Sequence, residues 1–471
     1  MRDEKKMKAL IIAAGKGSRL GNLTKDEPKP LIRLLGLSLL ERVILTARET
    51  DIHEFVIVTG YLGERIKKKL GDGERYGIEI TYIENREWER GNGVSVLKAE
   101  ESLKEKFLLL MSDHIFDERI LKELICCDLK SSVILAVDRG EASPGDTKVL
   151  EMGGEIVDIG KRIEKSNCID TGIFLCSPKI FSYIGDMVKR GREELADGIA
   201  EAAKNRDAQV FDITRIESYA SKMRKEIKPW WTDIDTEEDL KRAKDVIIEN
   251  ASKNPSDTLA CYVHRPIENK LVSWIASSDI TPNQLTILVN ILAYIVTALF
   301  LFGYLLPASL LSFVVGIADG LDGKLARVKL MTSKVGALEH SFDLLFEFSW
   351  FIALSLYLFH STGTPTPLIL CIFIILFIAF YRHVYDQFRK VMGKSLDDSG
   401  NFERKFRRIA GRRNLYNIPI LVGVLLAPLY SLNALISSLI FILFHSGVTA
   451  VVYSLRAMKH MRAVDLPSRR K

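Results

Sequence analysis

The chain has 471 residues, 47% of them hydrophobic, and 66 Lys and Arg stand against 60 Asp and Glu for a formal net charge of +6. That size suits two domains better than one, and the absence of repeats or low-complexity tracts lets the whole chain be assigned to packed domains. Six scattered cysteines without a C-x2-C pair exclude a disulfide scaffold and read as reduced, structural thiols.

Hydrophobicity is unevenly spread. Residues 1–250 read as a soluble α/β domain, 251–280 as a linker with an interfacial helix, and 281–471 as an all-α membrane domain of six spans. Met1 to Lys8 is charged and Leu10 to Ala14 is a short apolar run, so no signal peptide is expected and the first domain should stay in the cytoplasm.

Lys8 to Ala14 reads as a buried strand that runs into the glycine-rich turn Gly15-Lys16-Gly17-Ser18-Arg19-Leu20. A strand, a turn and then a helix can cradle phosphate, with main-chain N–H groups facing a triphosphate and Lys16 and Arg19 adding charge. Further strands are expected at Glu54 to Thr59, Ile78 to Ile83, Phe107 to Met111, Val133 to Val137 and Gly172 to Cys176, with helices such as Leu39 to Thr50 and Glu64 to Leu70 between them. Asp113 directly follows one of these strands, at the edge where such sheets bind ligands, and could hold Mg²⁺. In Trp88-Glu89-Arg90-Gly91-Asn92-Gly93 the glycines and amide could read a nucleobase edge, and Asn-Gly is equally a hairpin turn.

G-x-G-S-R-L followed by Lys29-Pro30-Leu31 resembles the sugar-nucleotide, or nucleotidyltransferase, family. The resemblance implies an α/β nucleotidyltransferase fold with a Rossmann-like mixed sheet, nucleotide contacts at Ala13, Ala14, Gly15, Gly17, Ser18, Gly91 and Asn92, and catalytic roles for Arg19 and Lys29 on the triphosphate. Trp231-Thr232-Asp233-Ile234-Asp235 resembles the family's W-x-D motif, which favours Asp233 over Asp235 as the second metal ligand beside Asp113. GNGVSVLKA, MSDHIFD, AVDR, TKVL, VDIGK and DTGIFL, in this order, look like the inositol-1-phosphate cytidylyltransferase branch. That likeness implies CTP as the nucleotide, Asp170, Thr171 and Gly172 near the polyol, and Lys148 and Lys161 near its phosphate.

After a hinge at 251–256, Cys261 to Ser277 suits a helix lying in the membrane interface. Apolar runs follow at Leu285 to Leu305, Pro307 to Ala318, Leu344 to Phe359, Pro367 to Phe380, Ile418 to Leu432 and Leu435 to Leu455. Lys and Arg crowd the loops at 324–334 and 382–413 and the tail from Arg456, so both ends are expected on the cytoplasmic side. Arg382 and the run from Arg404 to Arg413 are candidates for an anionic acceptor, although topology and lipid headgroups also account for such a run.

Between the second and third runs, Asp319 and Asp322 share one helical face and Glu339 and Asp343 another, with Glu347 extending the second stripe. Carboxylates at bilayer depth are costly and usually functional, and oxygen ligands of this kind suit Mg²⁺ or Mn²⁺ in phosphoryl transfer. Asp319, Asp322, Gly323, Ala326 and Arg327 form D-x2-D-G-x2-A-R, which resembles the CDP-alcohol phosphatidyltransferase signature. Its next glycine falls at Gly336. The third and fourth acids are expected at His340 and Leu344, whereas Glu339 and Asp343 keep the interval one residue early. The resemblance gives Gly323, Ala326 and Arg327 to the nucleotide, Asp319, Asp322, Glu339 and Asp343 to metal, and makes Asp343 the general base.

Together the halves resemble enzymes that make CDP-inositol from CTP and inositol 1-phosphate and pass its inositol phosphate to a second inositol 1-phosphate, in compatible-solute synthesis. The partners so implied are CTP, inositol 1-phosphate, CDP-inositol and the bilayer, with no nucleic acid. Gly316, Gly320 and Gly323 at small-residue spacing would allow a homodimer. Two rivals keep the folds: a phospholipid synthase with a lipid acceptor, and a membrane-anchored cytidylyltransferase whose membrane half is silent.

Overall fold

The computed structural model describes residues 7–143, 145–216, 228–252, 259–331 and 339–465. They form two compact units that meet in sequence at Ile247 and Ile248.

The strands of the first unit are Lys8–Ala13 (β1), Arg33–Leu34 (β2), Leu37–Ser38 (β3), Glu54–Thr59 (β4), Glu79–Glu84 (β5), Phe107–Met111 (β6) and His114–Phe116 (β7). Val133–Asp138 (β8), Lys148–Met152 (β9), Glu155–Gly160 (β10), Cys168–Cys176 (β11), Ala208–Asp212 (β12) and Trp231–Asp233 (β13) complete them. Nine lie in one sheet of order β5-β4-β1-β6-β11-β8-β12-β10-β9. The β5-β4-β1-β6 part is parallel, and β11 runs antiparallel to both β6 and β8. Central β1 and β6 are almost wholly apolar because both their faces are covered, which buries Ala9 and Ile11 on one side and Leu10 and Leu109 on the other.

The helices here are Leu39–Arg48 (α1), Gly63–Leu70 (α2), Asn92–Leu97 (α3), Glu118–Ile125 (α4), Ile180–Lys189 (α5), Leu195–Lys204 (α6) and Glu237–Asn250 (α7). Ser38 and Glu41 close a capping box on α1, which fixes where it starts. Asn92, for which a nucleobase contact and a hairpin turn stood level, forms no hairpin but opens α3, and its Oδ1 accepts from the Leu195 N–H at 2.7 Å. A separate two-stranded ribbon pairs β7 with β13 and sets Asp233 opposite His114.

The second unit is helical: Arg265–Ile275 (α8), Pro282–Leu301 (α9), Leu305–Ala318 (α10), Leu321–Val328 (α11), Glu339–Thr362 (α12), Thr366–Met392 (α13), Asn401–Arg407 (α14), Arg413–Tyr430 (α15) and Asn433–Asp465 (α16). Five segments among the described residues are long and apolar enough to cross a membrane: Pro282–Leu301, Leu305–Val328, Phe342–Thr362, Thr366–Met392 and Asn433–Val464. The remaining expected span falls on α15, where Arg413, Asn414 and Asn417 in the first turns dilute the apolar run. One core joins these helices through Phe300, Phe346, Ile374, Tyr416 and Leu439, and the outward side chains are large and apolar, as a lipid-facing surface requires. The segment expected to lie in the membrane interface falls on α8 and the π-helical stretch Ala260–His264 before it. His264, Val272 and Ala276 are buried on one side, whereas Tyr262, Ile267 and Trp274 are exposed on the other.

Candidate functional site

In the first unit the site grows from the ends of β1 and β6. The turn after β1 exposes Gly15 and Ser18, and Gly17 has φ 67°, a left-handed conformation that suits glycine. A side chain at Gly17 would also lie 2.6 Å from the Lys29 Cβ, so the G-x-G turn and the K-P-L segment are two halves of one arrangement. Lys29 is only 6% exposed, and its Nζ lies 2.5 Å from Asp113 Oδ2 and 2.8 Å from Asp235 Oδ1. Arg19 also donates to Asp235.

Asp113 leaves β6 directly into β7, and the ribbon returns Asp233 to the same place. Ligand atoms of Asp113, His114 and Asp233 lie within 4.8 Å of one another. His114 is held by geometry. Its Nδ1 is 2.7 Å from the Thr171 carbonyl oxygen and its ring stacks on Trp231, whose indole N–H donates to Asp138. The ring lies so close to Gly172, at φ 73°, that a Cβ there would sit 2.3 Å from Nδ1. The Thr171 hydroxyl meanwhile donates to the Ala136 carbonyl within the sheet. Thr171 and Gly172 therefore shape the wall that seats His114, and Asp170 is the member of that triplet whose carboxylate faces the cavity with Gly172 at its side.

Charge in this cluster is balanced internally. Burial alone would depress the Lys29 ammonium, but Asp113, Asp233 and Asp235 outweigh it and hold the pKa above the usual range. Burial would likewise raise Asp113, yet Lys29 and His114 hold it below a normal carboxylate. Burial wins at Asp233, pushed up to about 6 against the pull of His114, and at Asp170, also about 6. Asp233 Oδ1 is buried without a hydrogen-bond partner among the described residues. That oxygen lies 3.5 Å from His114 Nε2 and beside a second carboxylate, a place a hard divalent cation would satisfy, so the donor set fits a metal held by Asp113 and Asp233.

A cavity of ≈ 760 Å³ opens over this cluster, lined by Arg19, Asn92, Asp113, Asp170, Asp233 and Asp235, with Lys161 and Arg162 on a further wall. Lys148 does not line it. Gly91 caps α3 against the Glu193 backbone, so the Gly91-Asn92 pair is engaged in joining α3 to α6. His114 and Asp235 carry more of this site than the sequence reading gave them. The histidine stood within MSDHIFD without a role, because nothing local showed which backbone carbonyl would hold its ring.

The second unit holds another acidic site. Asp319 and Asp343 line a cavity of ≈ 550 Å³ together with Arg382, Arg389, Arg407, Arg412 and Arg413. Arg413 pairs with Asp319 at 2.5 Å. Asp322 is 3% exposed and does not line this cavity; its Oδ2 accepts from the Thr286 hydroxyl at 2.6 Å and its Oδ1 from the Gly323 N–H. Arg327 Nε donates to the Ala251 carbonyl at 2.5 Å. Ala326 accepts at its carbonyl from the Met331 N–H and turns the end of α11. Glu347, which extends the acidic stripe, is fully buried and pairs with Arg382, so it steers an arginine of the cavity. Gly336 and the Glu339 side chain lie outside the described residues, so the one-residue shift of the signature lies there too. Asp319 and Asp343 thus bring two carboxylates to the wall of an otherwise arginine-rich cavity, with Asp319 already paired to Arg413.

The chain matches the family model described as nucleotidyl transferase over residues 8–250 and that described as CDP-alcohol phosphatidyltransferase over residues 279–455. Fold and sites thus define an enzyme of two transferase halves, a nucleotidyltransferase followed by a membrane-embedded CDP-alcohol phosphotransferase. It is 32% identical over 338 residues to the bifunctional IPC transferase and DIPP synthase of Thermococcus kodakarensis, spanning 70% of this chain and 71% of that one. With the protein of the same name from Archaeoglobus fulgidus it shares 28% identity over 434 residues, 90% of this chain and 79% of that one. The solved inositol-1-phosphate CTP transferase of T. maritima aligns with 51% of this chain and 94% of its own at 27% identity and a TM-score of 0.44. The chain belongs to the bifunctional IPC transferase and DIPP synthase family.

One consequence is measurable on the protein alone. Because the folded Asp233 carboxyl is raised to about 6, a cation must displace its proton at lower pH. Binding of Mn²⁺, followed by its electron paramagnetic resonance signal, is expected to weaken as pH falls from 7 to 5, because Asp233 and the neighbouring His114 take up protons that a cation must displace. An affinity flat across that interval would remove Asp233 from the metal set.

Proposed function

We propose that the first unit joins CTP and inositol 1-phosphate into CDP-inositol with release of pyrophosphate, and that the second transfers the inositol phosphate group to another inositol 1-phosphate with release of CMP. The observation that carries the acceptor assignment is the cavity of the second unit, in which five arginines face Asp319 and Asp343. Arginine forks recognise phosphate monoesters, which a neutral lipid alcohol lacks.

In the first reaction an oxygen of inositol 1-phosphate attacks the α-phosphorus of CTP, and the bond to the β-phosphate oxygen breaks. Lys29 and Arg19 hold the triphosphate, the turn at Ala13, Ala14, Gly15, Gly17 and Ser18 offers main-chain N–H groups to it, and Lys161 and Arg162 receive the phosphate of the polyol. No nucleophilic side chain is needed, because positioning and charge compensation dominate such transfers. Asp113 and Asp233 would hold a divalent cation such as Mg²⁺, which would supply charge neutralisation on the phosphates. In the second reaction a hydroxyl of the acceptor attacks the β-phosphorus of CDP-inositol, CMP leaves, and Asp343 takes the hydroxyl proton. Asp319, Asp322 and Glu339 supply the remaining acids, and Gly323, Ala326 and Arg327 the bed for the nucleotide.

The membrane half is proposed to span the bilayer six times, with α15 as the sixth span and both sites facing the cytoplasm, since Arg and Lys cluster on the loop that carries α14 and at the end of α16. Domain limits of 1–250 and 281–471 and a homodimer belong to the same reading. The test is an acceptor exchange on supplied CDP-inositol in detergent. CMP release that requires inositol 1-phosphate supports the proposal, and release that requires a lipid alcohol replaces it with phospholipid synthesis.

A further inference from the structure

Helix α8 packs against α10 and α11, and it brings one carboxylate onto the nucleotide motif. A Cβ at Gly320 would lie 2.7 Å from Glu268 Oε1 and 3.1 Å from its Cδ, so the carboxylate rests on the bare backbone between Asp319 and Leu321. The next residue, Asn269, receives the Lys324 ammonium, which clamps α8 onto α11 and fixes where Glu268 stands. Glu268 is half-buried, and among the described residues no hydrogen bond or ion pair reaches its carboxylate. Burial pushes its pKa up; Lys324, Arg327 and Arg265 oppose that from beyond contact distance.

A half-buried carboxylate that no protein donor reaches is left to water, and a ligand that brings a donor can take water's place. The neighbouring cations disfavour a divalent metal there, and a phosphate would be repelled by the carboxylate itself. What remains is a neutral N–H donor carried by a group that can lie flat on glycine backbone, at Gly320 and one turn on at Gly323. The exocyclic amino group of cytosine is such a donor, and a carboxylate is its natural acceptor. Uracil presents a carbonyl oxygen at the same ring position and would be rejected.

We propose that Glu268 reads the nucleotide base in the membrane half, accepting a hydrogen bond from the cytosine amino group and so selecting CDP-alcohols over UDP-alcohols. The inference rests on the reading that this half consumes CDP-inositol. The test uses the full-length protein in detergent with inositol 1-phosphate, supplied with CDP-inositol or UDP-inositol, and compares wild type with Glu268→Gln and Glu268→Ala. Wild type should prefer the cytidine substrate by about 10-fold or more in kcat/KM. Glu268→Gln should lower use of CDP-inositol and raise use of UDP-inositol, because an amide N–H can donate to the uracil oxygen. Glu268→Ala should lose the preference without the gain. An unchanged ratio in both variants overturns the inference and leaves the transfer reaction standing, whereas a wild type that releases no CMP overturns both. If neither variant is monodisperse, inhibition of wild type decides: CMP should inhibit about 10-fold better than UMP, and equal inhibition overturns the inference.

Discussion

Asp113→Asn is expected to lower formation of CDP-inositol from CTP and inositol 1-phosphate by roughly 10²–10³-fold, the scale of losing one preorganised electrostatic group. The substitution keeps the shape of the side chain and removes its charge, so the loss falls on what that charge does. It holds the Lys29 ammonium at 2.5 Å and, with Asp233, offers the oxygens for a cation. Removing it also relieves the repulsion that helps keep the Asp233 carboxyl raised, so Asp233 ionises more readily but stands as the one carboxylate left of the pair. The readout is pyrophosphate release. CMP release from supplied CDP-inositol should stay at the wild-type rate, because it needs only the membrane half. A fall in both would mean that the substitution unfolds the protein, and a fall in neither would remove Asp113 from the site.

The mirror image is expected at Asp319→Asn. Here pyrophosphate release persists while CMP release from CDP-inositol falls by roughly 10²–10³-fold. Asp319 faces the arginine-lined cavity alongside Asp343 and orients Arg413 through the 2.5 Å ion pair. With the carboxylate gone, Arg413 is left as a buried cation beside one acid fewer, and the cavity becomes more positive just where a phosphate must give up a leaving group. Product analysis should show CDP-inositol accumulating from CTP. If Asp319→Asn still converts CTP through to CMP, the acidic motif is structural and the reacting phosphate sits elsewhere.

What the sequence carried well was local. β1 and its glycine-rich turn, the strands at Glu54–Thr59 and Phe107–Met111, and the apolar spans were legible because their signals lie within one stretch of chain. What it did not carry depends on partners distant in sequence. The three-residue β7 and β13 have too few residues for a strand pattern, yet their pairing is what brings Asp233 to Asp113. Gly172 looked like part of a polyol site, and its role became visible only with the His114 ring against it. Glu347 was placed correctly on the face of Asp343 by the four-residue interval, but the pairing that takes it out of the acidic stripe comes from Arg382 on the next helix. The hairpin reading of Asn92-Gly93 failed because Leu195, on a helix the pattern did not announce, takes the amide oxygen. Glu268 drew no attention on an amphipathic helix, since only the fold lays Gly320 beneath it.

The most direct measurement follows ³¹P resonances while purified wild-type protein in detergent receives CTP, inositol 1-phosphate and Mg²⁺. Two linked transfers predict that pyrophosphate and a CDP-inositol pyrophosphate signal appear first, and that the latter then decays as CMP and a new phosphodiester rise together. CDP-inositol that accumulates without CMP, or CMP that forms only after a lipid alcohol is added, would contradict the account.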